Sequence, residues 1–353
     1  LLTGPETSAY HEFGVRLARD LNARGINTDV IVTGGSLDNL QRLREANNVV
    51  ALAPSVVDWQ VKFGDSPPFV ALGSVGIEPF WLFYHSDLEI RRVADLAGRT
   101  LATEGTDTTS YQVANLLIEQ IGLADRLDIV PLTDQTAAQS IQGFDSGTID
   151  AVFLSGQANS SVVQSLLNSE HASLMSLDRG KAFAKRVAGA TVIVAPEGVF
   201  DLARNVPPQD TQLLAATTCL VAHEDIQPAL VPTLLSGAGN TYPQSSSFIS
   251  ANEFPSSDHV TLPLAPGAQR YFRQGEVGLS NYLPYRAVRF LNHVGFFVLP
   301  LLTVATILLK AAPTGLRIFG GIRIKRSLKR LESVEKAFAA GVDAPTLLAD
   351  LDA

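Results

Sequence analysis

The chain has 353 residues, of which 46% are hydrophobic and 18% charged, and this composition excludes wholesale disorder. Its net charge of −8 is uneven, because the first 289 residues contain 19 basic and 30 acidic residues. Such an acidic part is a poor partner for nucleic acid, whose phosphates need a basic surface. The single cysteine, Cys219, lies in an apolar stretch and is predicted to be an inert core residue.

Two turns from strand to helix are predicted near the start of the chain. The first helix follows a Gly-Pro turn, and its apolar face comprises Tyr10, Phe13, Leu17 and Leu21. The second turn lies in "VTGGSLDNLQRLREANNVVALA", residues 32–53, where a β-branched run stops at Gly34-Gly35 and Ser36 is predicted to cap a helix. Ligands bind at such strand ends in open α/β sheets, and free N–H groups of a helix N-terminus favour anions.

The pattern of strand and helix continues to about residue 200. An aromatic β run covers residues 74–87, a third helix begins near Thr108, Thr109 and Ser110, and a buried strand covers residues 149–154. Alternation of this kind predicts helices on both faces of a mostly parallel sheet. We expect two α/β lobes joined by two crossings, with residues 1–88 and 190–285 in the first lobe and residues 89–189 in the second.

Residues 290–309 form an uncharged apolar segment, if His293 is neutral, that is long enough to span a membrane. Seven basic residues and no acidic ones occur in residues 310–330. The positive-inside rule therefore predicts a single-pass anchor in the inner membrane over residues 286–310, a periplasmic N-terminal part and a cytoplasmic tail, residues 311–353. The alternative is a buried or interfacial helix. We expect the export signal to lie outside the given residues.

The basic tail contains a second pattern. In "SLKRLESVEKAF" the residues Leu328, Leu331, Val334 and Phe338 are spaced for one face of a helix. This spacing predicts a short amphipathic helix that docks on membrane lipids or on a partner protein.

Several stretches together resemble one family of receptors. They are "LLTGPETSAYHEFGVRLA", "TGGSLDNLQRLR", "EPFWLFY", "DLAGRTLATEGTDTTSYQVA" and "GTIDAVFLSGQANSSVVQSLL". Their order resembles type II periplasmic binding proteins, and more closely the membrane-anchored branch of the TAXI family of TRAP-transporter solute receptors. The resemblance implies a two-lobed receptor that closes on glutamate, glutamine or 2-oxoglutarate and docks on a TRAP permease.

Two loops depart from the pattern of that family. The first loop of the family resembles Gly-Pro-Pro-Gly-Gly-Thr-Tyr, whereas residues 4–10 read GPETSAY, and the Gly-Ser-Gly-Thr of the second lobe is replaced by DTTS at residues 107–110. The departures remove glycines whose backbone N–H groups would face an anion and add Glu6 and Asp107. We therefore expect a ligand that carries an amine, unless these side chains point away or binding has been lost.

The residues predicted to bind the ligand have hydroxyl or amide side chains at helix starts and strand ends. They are Tyr10, Ser36, Asn39, Thr108, Thr109, Ser110, Ser155 and Gln157. Metalloprotease, hydrolase, P-loop and dinucleotide motifs are missing from the sequence, so we expect no enzyme, no cofactor and no metal. Two alternatives stay open: an anchored sensor or scaffold that acts through its tail, and a carboxylate site of Glu6, Glu104 and Asp107 for catalysis or a cation.

Overall fold

The computed structural model describes residues 1–274 except for residues 7, 47, 57–63, 65–66, 107, 133–138, 140–141, 145, 242–247 and 249–252. It also describes residues 300–306, 324–336 and 339–340. The chain divides into two compact units, Leu1–Tyr285 and Arg286–Ala353. The first unit is an α/β structure and carries all the site residues predicted from the sequence.

The first unit contains both helices and strands, as the sequence predicts, but the strands at residues 190–195 and 211–223 follow one another with no helix between them. The helices are α1 (Ala9–Ala23), α2 (Ser36–Glu45), α3 (Thr109–Gln120), α4 (Ser161–Asn168), α5 (Gly180–Arg186), α6 (Val231–Thr241) and α7 (Pro266–Gln274), with a 3-10 turn at Val93–Leu96. The strands are β1 (Val50–Pro54), β2 (Phe69–His85), β3 (Thr100–Thr103), β4 (Asp128–Pro131), β5 (Ala151–Ser155), β6 (Ala172–Leu174), β7 (Ala190–Ala195) and β8 (Thr211–His223).

These strands form one mixed sheet in the order β1-β8-β2-β5-β3-β4, with β6 paired to β2 and β7 paired to β8. The prediction of a mostly parallel sheet was wrong. Among the named strands of the described residues, only β3 forms parallel pairs, with β4 and β5. The difference arises because β2 and β8 are long antiparallel strands in the middle of the sheet, and they pair from Phe69–His223 to Phe80–Leu214. Antiparallel strands do not require the crossover helices that the predicted parallel sheet would need.

The sheet is covered on both faces, and its side chains alternate between them. At one end, Leu52 and Leu220 pack with α1 and α6, while Ala51 and Val221 pack with α2 on the other face. At the other end, two further clusters alternate along β2, one holding Phe80 and Leu82 and the other Trp81 and Phe83. Burial on both faces explains why these strands read as continuous apolar runs.

The helix faces largely follow the predicted periodicity. On α1 the residues Phe13, Leu17 and Leu21 are buried, which confirms the predicted apolar face. On α3 the helical spacing predicts an apolar stripe of Val113, Leu116, Leu117 and Ile121, and the side chains of Val113 and Leu117 are buried. Leu116, which was assigned to the same stripe, is exposed, because the buried face of α3 turns toward Ala114 and Ile118 instead.

The lobe boundaries at residues 88–89 and 189–190 stay a prediction, because residues 1–285 form one compact unit. One hydrophobic cluster nevertheless contains residues from both predicted lobes. Ala195 and Leu213 belong to the same hydrophobic cluster as Phe83 and Leu154. The strand β7 and the start of β8 therefore share a core with the predicted second lobe, although the sequence pattern assigned them to the first.

Most of the predicted membrane anchor, residues 286–310, lies outside the described residues. Its described part is a helical stretch at residues 300–306, and a second helix in that unit covers residues 324–336. Within the parts of the chain that the structure describes, no helix is both long and apolar enough to cross a membrane.

Candidate functional site

The start of α2 differs from its prediction in one respect. Gly35 and not Ser36 is the N-cap residue, with φ at 114°, a conformation that favours glycine. Ser36 is the first residue of the helix, and no side chain caps α2 by a hydrogen bond. The Ser36 hydroxyl is thus not used for capping.

The backbone N–H groups of Gly34 and Gly35, just before α2, already donate hydrogen bonds to nearby side chains. The Gly34 N–H donates to Asp38 Oδ2 at 2.8 Å, and the Gly35 N–H donates to Thr33 Oγ1 at 3.2 Å. Asp38 also pairs with Arg42, and both the Arg42 side chain and the Gly34 amide lower the pKa of its carboxyl group. A carboxylate of the protein therefore already takes the position that an anionic ligand was expected to take at these amides.

Two glutamate side chains lie at the centre of a hydrogen-bonded cluster. Tyr10 donates its hydroxyl to Glu78 Oε2 at 2.9 Å, and Glu78 also bonds to the Ser155 hydroxyl. Glu104 Oε2 accepts bonds from the Ser155 amide and hydroxyl, both at 3.3 Å, and from the Ser110 hydroxyl. We refer to these five residues as the glutamate cluster. It joins the first turn of α1, the middle of β2, the end of β3, the start of α3 and the end of β5.

The electrostatics of the cluster are those of partly buried acids. Burial raises the pKa of Glu78, while the hydrogen bonds from Tyr10 and Ser155 lower it. Burial likewise raises the pKa of Glu104, against the hydrogen bonds from Ser110 and Ser155. Burial also raises the pKa of the Tyr10 phenol, and the neighbouring Glu78 adds to this effect. Among the described residues, no Lys or Arg side chain bonds to either glutamate. Within the described part of the chain, both acids thus lack a compensating positive charge.

The start of α2 reaches the start of α3. Ser36 Oγ lies 3.4 Å from Thr109 Oγ1, within hydrogen-bond distance. Thr108 caps α3 by accepting a bond from the Tyr111 N–H, and its hydroxyl lies 3.0 Å from that of Ser110. Hydrogen bonds join Tyr10, Ser110 and Ser155 to the two glutamates and Thr108 to Ser110, while Ser36 contacts Thr109, the residue before Ser110. The set of residues in or beside the cluster therefore includes six of the eight predicted from the sequence, namely Tyr10, Ser36, Thr108, Thr109, Ser110 and Ser155.

Asn39 does not belong to this set. Its side chain is fully buried, and its amide donates to the carbonyl oxygens of Thr3, at 2.5 Å, and of Leu52, at 2.8 Å. Its side-chain oxygen accepts a bond from the Thr33 hydroxyl at 2.7 Å. Asn39 therefore ties α2 to β1 and to the first residues of the chain, and the same Thr33 hydroxyl receives the Gly35 N–H.

Replacing Asn39 by alanine is expected to lower the free energy of unfolding by about 3 kcal/mol, because two buried carbonyl oxygens lose their donor. Urea denaturation of the full chain measures this loss. Asn115→Ala is the matched control, since the Asn115 amide makes one local bond to the Tyr111 carbonyl within α3. If Asn39→Ala is no less stable than the control, its bonds do not have the structural role described here.

Gln157 lies beside the glutamate cluster. Its amide donates to the carbonyl oxygen of Ile77 at 2.7 Å, one residue before Glu78 in β2. The bond fixes the loop after β5 against the strand that carries the first glutamate.

Sequence reasoning missed Glu78. Its signal was a single acidic residue within an otherwise apolar and aromatic strand, "VGIEPFWLFY".

Glu104 was considered only with Glu6 and Asp107 as a carboxylate site. Glu6 is exposed, and Asp107 lies outside the described residues. No group of three metal-ligating side chains is present in the described parts of the chain.

The matched family model places the chain among known proteins. The chain belongs to the NMT1-like family, whose model matches residues 1–278. This match covers the first unit, including every residue of the glutamate cluster. No curated protein matches the chain. The TAXI subfamily remains a prediction from sequence motifs.

Solved structures with a similar fold include periplasmic solute-binding proteins. The aliphatic sulphonate binding protein SsuA from Escherichia coli is 14% identical, with a TM-score of 0.44 over 68% of this chain and 71% of that chain. SsuA from Xanthomonas axonopodis pv. citri, bound to MOPS, is 13% identical, with a TM-score of 0.42 over 68% and 72%. XAC2383 from Xanthomonas citri, bound to ATP, is 14% identical, with a TM-score of 0.44 over 82% and 98%. These similarities concern the course of the chain and do not extend to the ligands.

Proposed function

We propose that this protein is a solute-binding receptor that holds a small, amine-bearing polar metabolite at the glutamate cluster. An amino acid fits this description, because its ammonium group complements the carboxylates and its remaining polar atoms suit hydroxyl groups. The receptor holds the metabolite without changing it chemically and presents it to a membrane partner.

The observation that carries the proposal is the convergence of distant polar side chains. Tyr10 from the first turn of α1 contacts Glu78, Ser110 from the first turn of α3 contacts Glu104, and Ser36 at the start of α2 contacts Thr109 beside Ser110. A structural role alone does not require two partly buried acids that lack a positive partner, since burying such groups is unfavourable. A bound ammonium group would offset this unfavourable burial.

The charges favour an amine over a bare carboxylate as the group that enters the cluster. Each glutamate would repel a carboxylate at about 4 Å by roughly 1 kcal/mol even at the dielectric constant of water. Two of the amides in the turn before α2, those of Gly34 and Gly35, already donate to Asp38 and Thr33. Glutamate or glutamine would bind through the amine, and 2-oxoglutarate, which has none, is the least suitable of the three metabolites that the family resemblance implies.

The membrane partner in this proposal is a TRAP-type permease, as the TAXI resemblance implies. Residues 1–285 would act in the periplasm, tethered by residues 286–310 to the inner membrane. The contact between Ser36 and Thr109 would form when the receptor closes, because it joins the two helix starts on either side of the glutamate cluster. Closure would then change the surface offered to the permease.

A thermal-melt panel tests the proposal. The full chain is heated with amino acids, diamines, 2-oxo acids and dicarboxylates, and we expect an amine-bearing compound to raise the melting temperature. At a hundredfold excess over Kd the stabilisation is about 2.7 kcal/mol. Acids that lack an amine are expected to leave the melting curve unchanged.

A control variant distinguishes a loss of ligand binding from a general loss of protein stability. Ser36→Ala is expected to reduce the ligand-induced shift, whereas Ser160→Ala, which removes the hydroxyl that caps α4, is expected to keep it. A panel in which no amine-bearing compound shifts the curve would contradict the proposal. Turnover of a panel compound would identify an enzyme instead.

A further inference from the structure

The helix at residues 324–336 presents an apolar stripe that the described residues leave uncovered. Ile324, Leu328 and Leu331 are spaced by four and three positions and therefore lie on one face, and Glu335, four positions further on, ends the stripe. Their relative exposures are 63%, 59% and 57%. Three large aliphatic side chains along one side of a short helix form a surface suited to an apolar partner.

The remainder of this helix is strongly basic. Its basic residues are Lys325, Arg326, Lys329, Arg330 and Lys336, and all of them are exposed. The two acidic residues are Glu332 and Glu335, and Glu332 pairs with Lys336 at 3.0 Å. Arg326 and Arg330 share the face opposite the apolar stripe with Ser333. The helix thus combines an apolar face with an excess of positive charge on its other sides.

We propose that this helix lies in the plane of an anionic lipid surface, with Leu328 and Leu331 turned toward the acyl chains. The lysine and arginine side chains then reach the negatively charged head groups beside it. A protein groove would bury the leucines but would not require positive charge around them, so the charge favours an anionic membrane. This inference concerns the second unit and does not depend on the proposed ligand.

Fluorophores at two positions of the full chain test this orientation. Leu328→Cys and Ser333→Cys are each labelled with an environment-sensitive dye, since the native Cys219 is buried and its pKa is raised to about 12. The labelled chain is reconstituted with phosphatidylglycerol vesicles and with phosphatidylcholine vesicles. We expect a blue shift at position 328 with phosphatidylglycerol, a smaller shift with phosphatidylcholine, and no comparable shift at position 333.

Attachment to a vesicle does not by itself test the orientation, because residues 290–309 are themselves apolar and would attach the chain to either vesicle. The test is the difference in blue shift between positions 328 and 333 and between the two lipids. Lys325→Gln combined with Lys329→Gln is expected to reduce the shift with phosphatidylglycerol, as is high salt. Equal shifts at positions 328 and 333, or equal shifts with the two lipids, would overturn the inference. A blue shift at position 328 without lipid would also overturn it, because a protein segment or a second copy would then cover the stripe.

Discussion

Replacing Glu78 or Glu104 by glutamine is expected to stabilise the ligand-free protein near pH 8 and to weaken binding of an amine-bearing ligand. Burial raises the pKa of both carboxyl groups, so each is less stable as a charged group in the fold than in the unfolded chain. Glutamine keeps the shape and hydrogen-bonding capacity without the charge. We expect a gain of about 1 kcal/mol for each substitution, within the range that single stabilising changes commonly reach.

The pH dependence of the free energy of unfolding explains why the substitution should stabilise the protein at high pH. A carboxyl group with a raised pKa binds its proton more tightly in the folded state than in the unfolded state. Its contribution to stability is therefore complete below the unfolded pKa of about 4.3 and is lost as the pH rises through the raised folded value. The advantage of Glu78→Gln over the native chain should thus be absent near pH 4 and should grow as the pH rises.

Ligand affinity should rise with pH, whereas the stability contributed by these carboxyl groups falls with pH. An ammonium group binds the ionised carboxylates, so affinity falls as the pH drops through their raised pKa values. Each glutamine substitution removes one charged partner and should weaken binding about tenfold to a hundredfold at pH 8.

Thermal unfolding at a series of pH values, with and without ligand, measures both effects. Glu119→Gln is the matched control, because Glu119 lies exposed on α3 and has no part in the cluster. Its substitution should change neither the pH profile nor the affinity. A loss of stability at pH 8 in both glutamate variants would show that the carboxylates support the fold and would remove the reason for placing an ammonium group there.

Joining Ser36 and Thr109 by a disulfide is expected to stop ligand exchange. The two hydroxyl oxygens are 3.4 Å apart, so the sulfur atoms of Ser36→Cys and Thr109→Cys would start close together, and a small shift of the two helix starts should let them oxidise. The crosslink closes a loop between residues 73 positions apart and should stabilise the protein by about 4 kcal/mol. If this contact belongs to the closed receptor, the oxidised protein can neither admit nor release its ligand.

Equilibrium dialysis of the oxidised and reduced double variant measures this exchange. Reduction should restore exchange, and each single cysteine variant should exchange ligand under both conditions. Cys219 is buried and should not compete for disulfide formation. Normal exchange in a fully oxidised protein would show that the contact between α2 and α3 is a fixed part of the fold.

Local signals were enough to predict the first helices and strands of the fold, but after Asp201 they predict helical stretches where the structure has the central strand β8. Turn glycines and helical spacing located α1, α2 and α3 and their buried faces. They failed for the direction of the strands, because β2 and β8 read as apolar runs whether their neighbours are parallel or antiparallel. Pairing partners such as Ile77 and Thr217 lie far apart along the chain, and no local pattern records which strand lies beside which.

The parts of the candidate site at helix starts could be predicted from the sequence. The parts that depend on which side chains are buried, and beside which neighbours, could not. The hydroxyl residues predicted at the start of α3 include Ser110, which contacts Glu104 at one end of the cluster. Asn39 seemed equivalent to them by sequence, yet its side chain points into the core and binds the main chain. Glu78 was missed because its meaning comes from Tyr10 and Ser155, which are remote in sequence.

The long pair β2 and β8 also constrains how the protein is made. A nascent chain can complete the middle of this sheet only after residues 211–223 have left the ribosome, because they pair with residues 69–80. Until then β2, with its buried Trp81 and Phe83, has no partner on that side. Such long-range pairing slows folding and exposes apolar surface. The growing polypeptide therefore leaves this apolar surface uncovered until its last central strand has been synthesised.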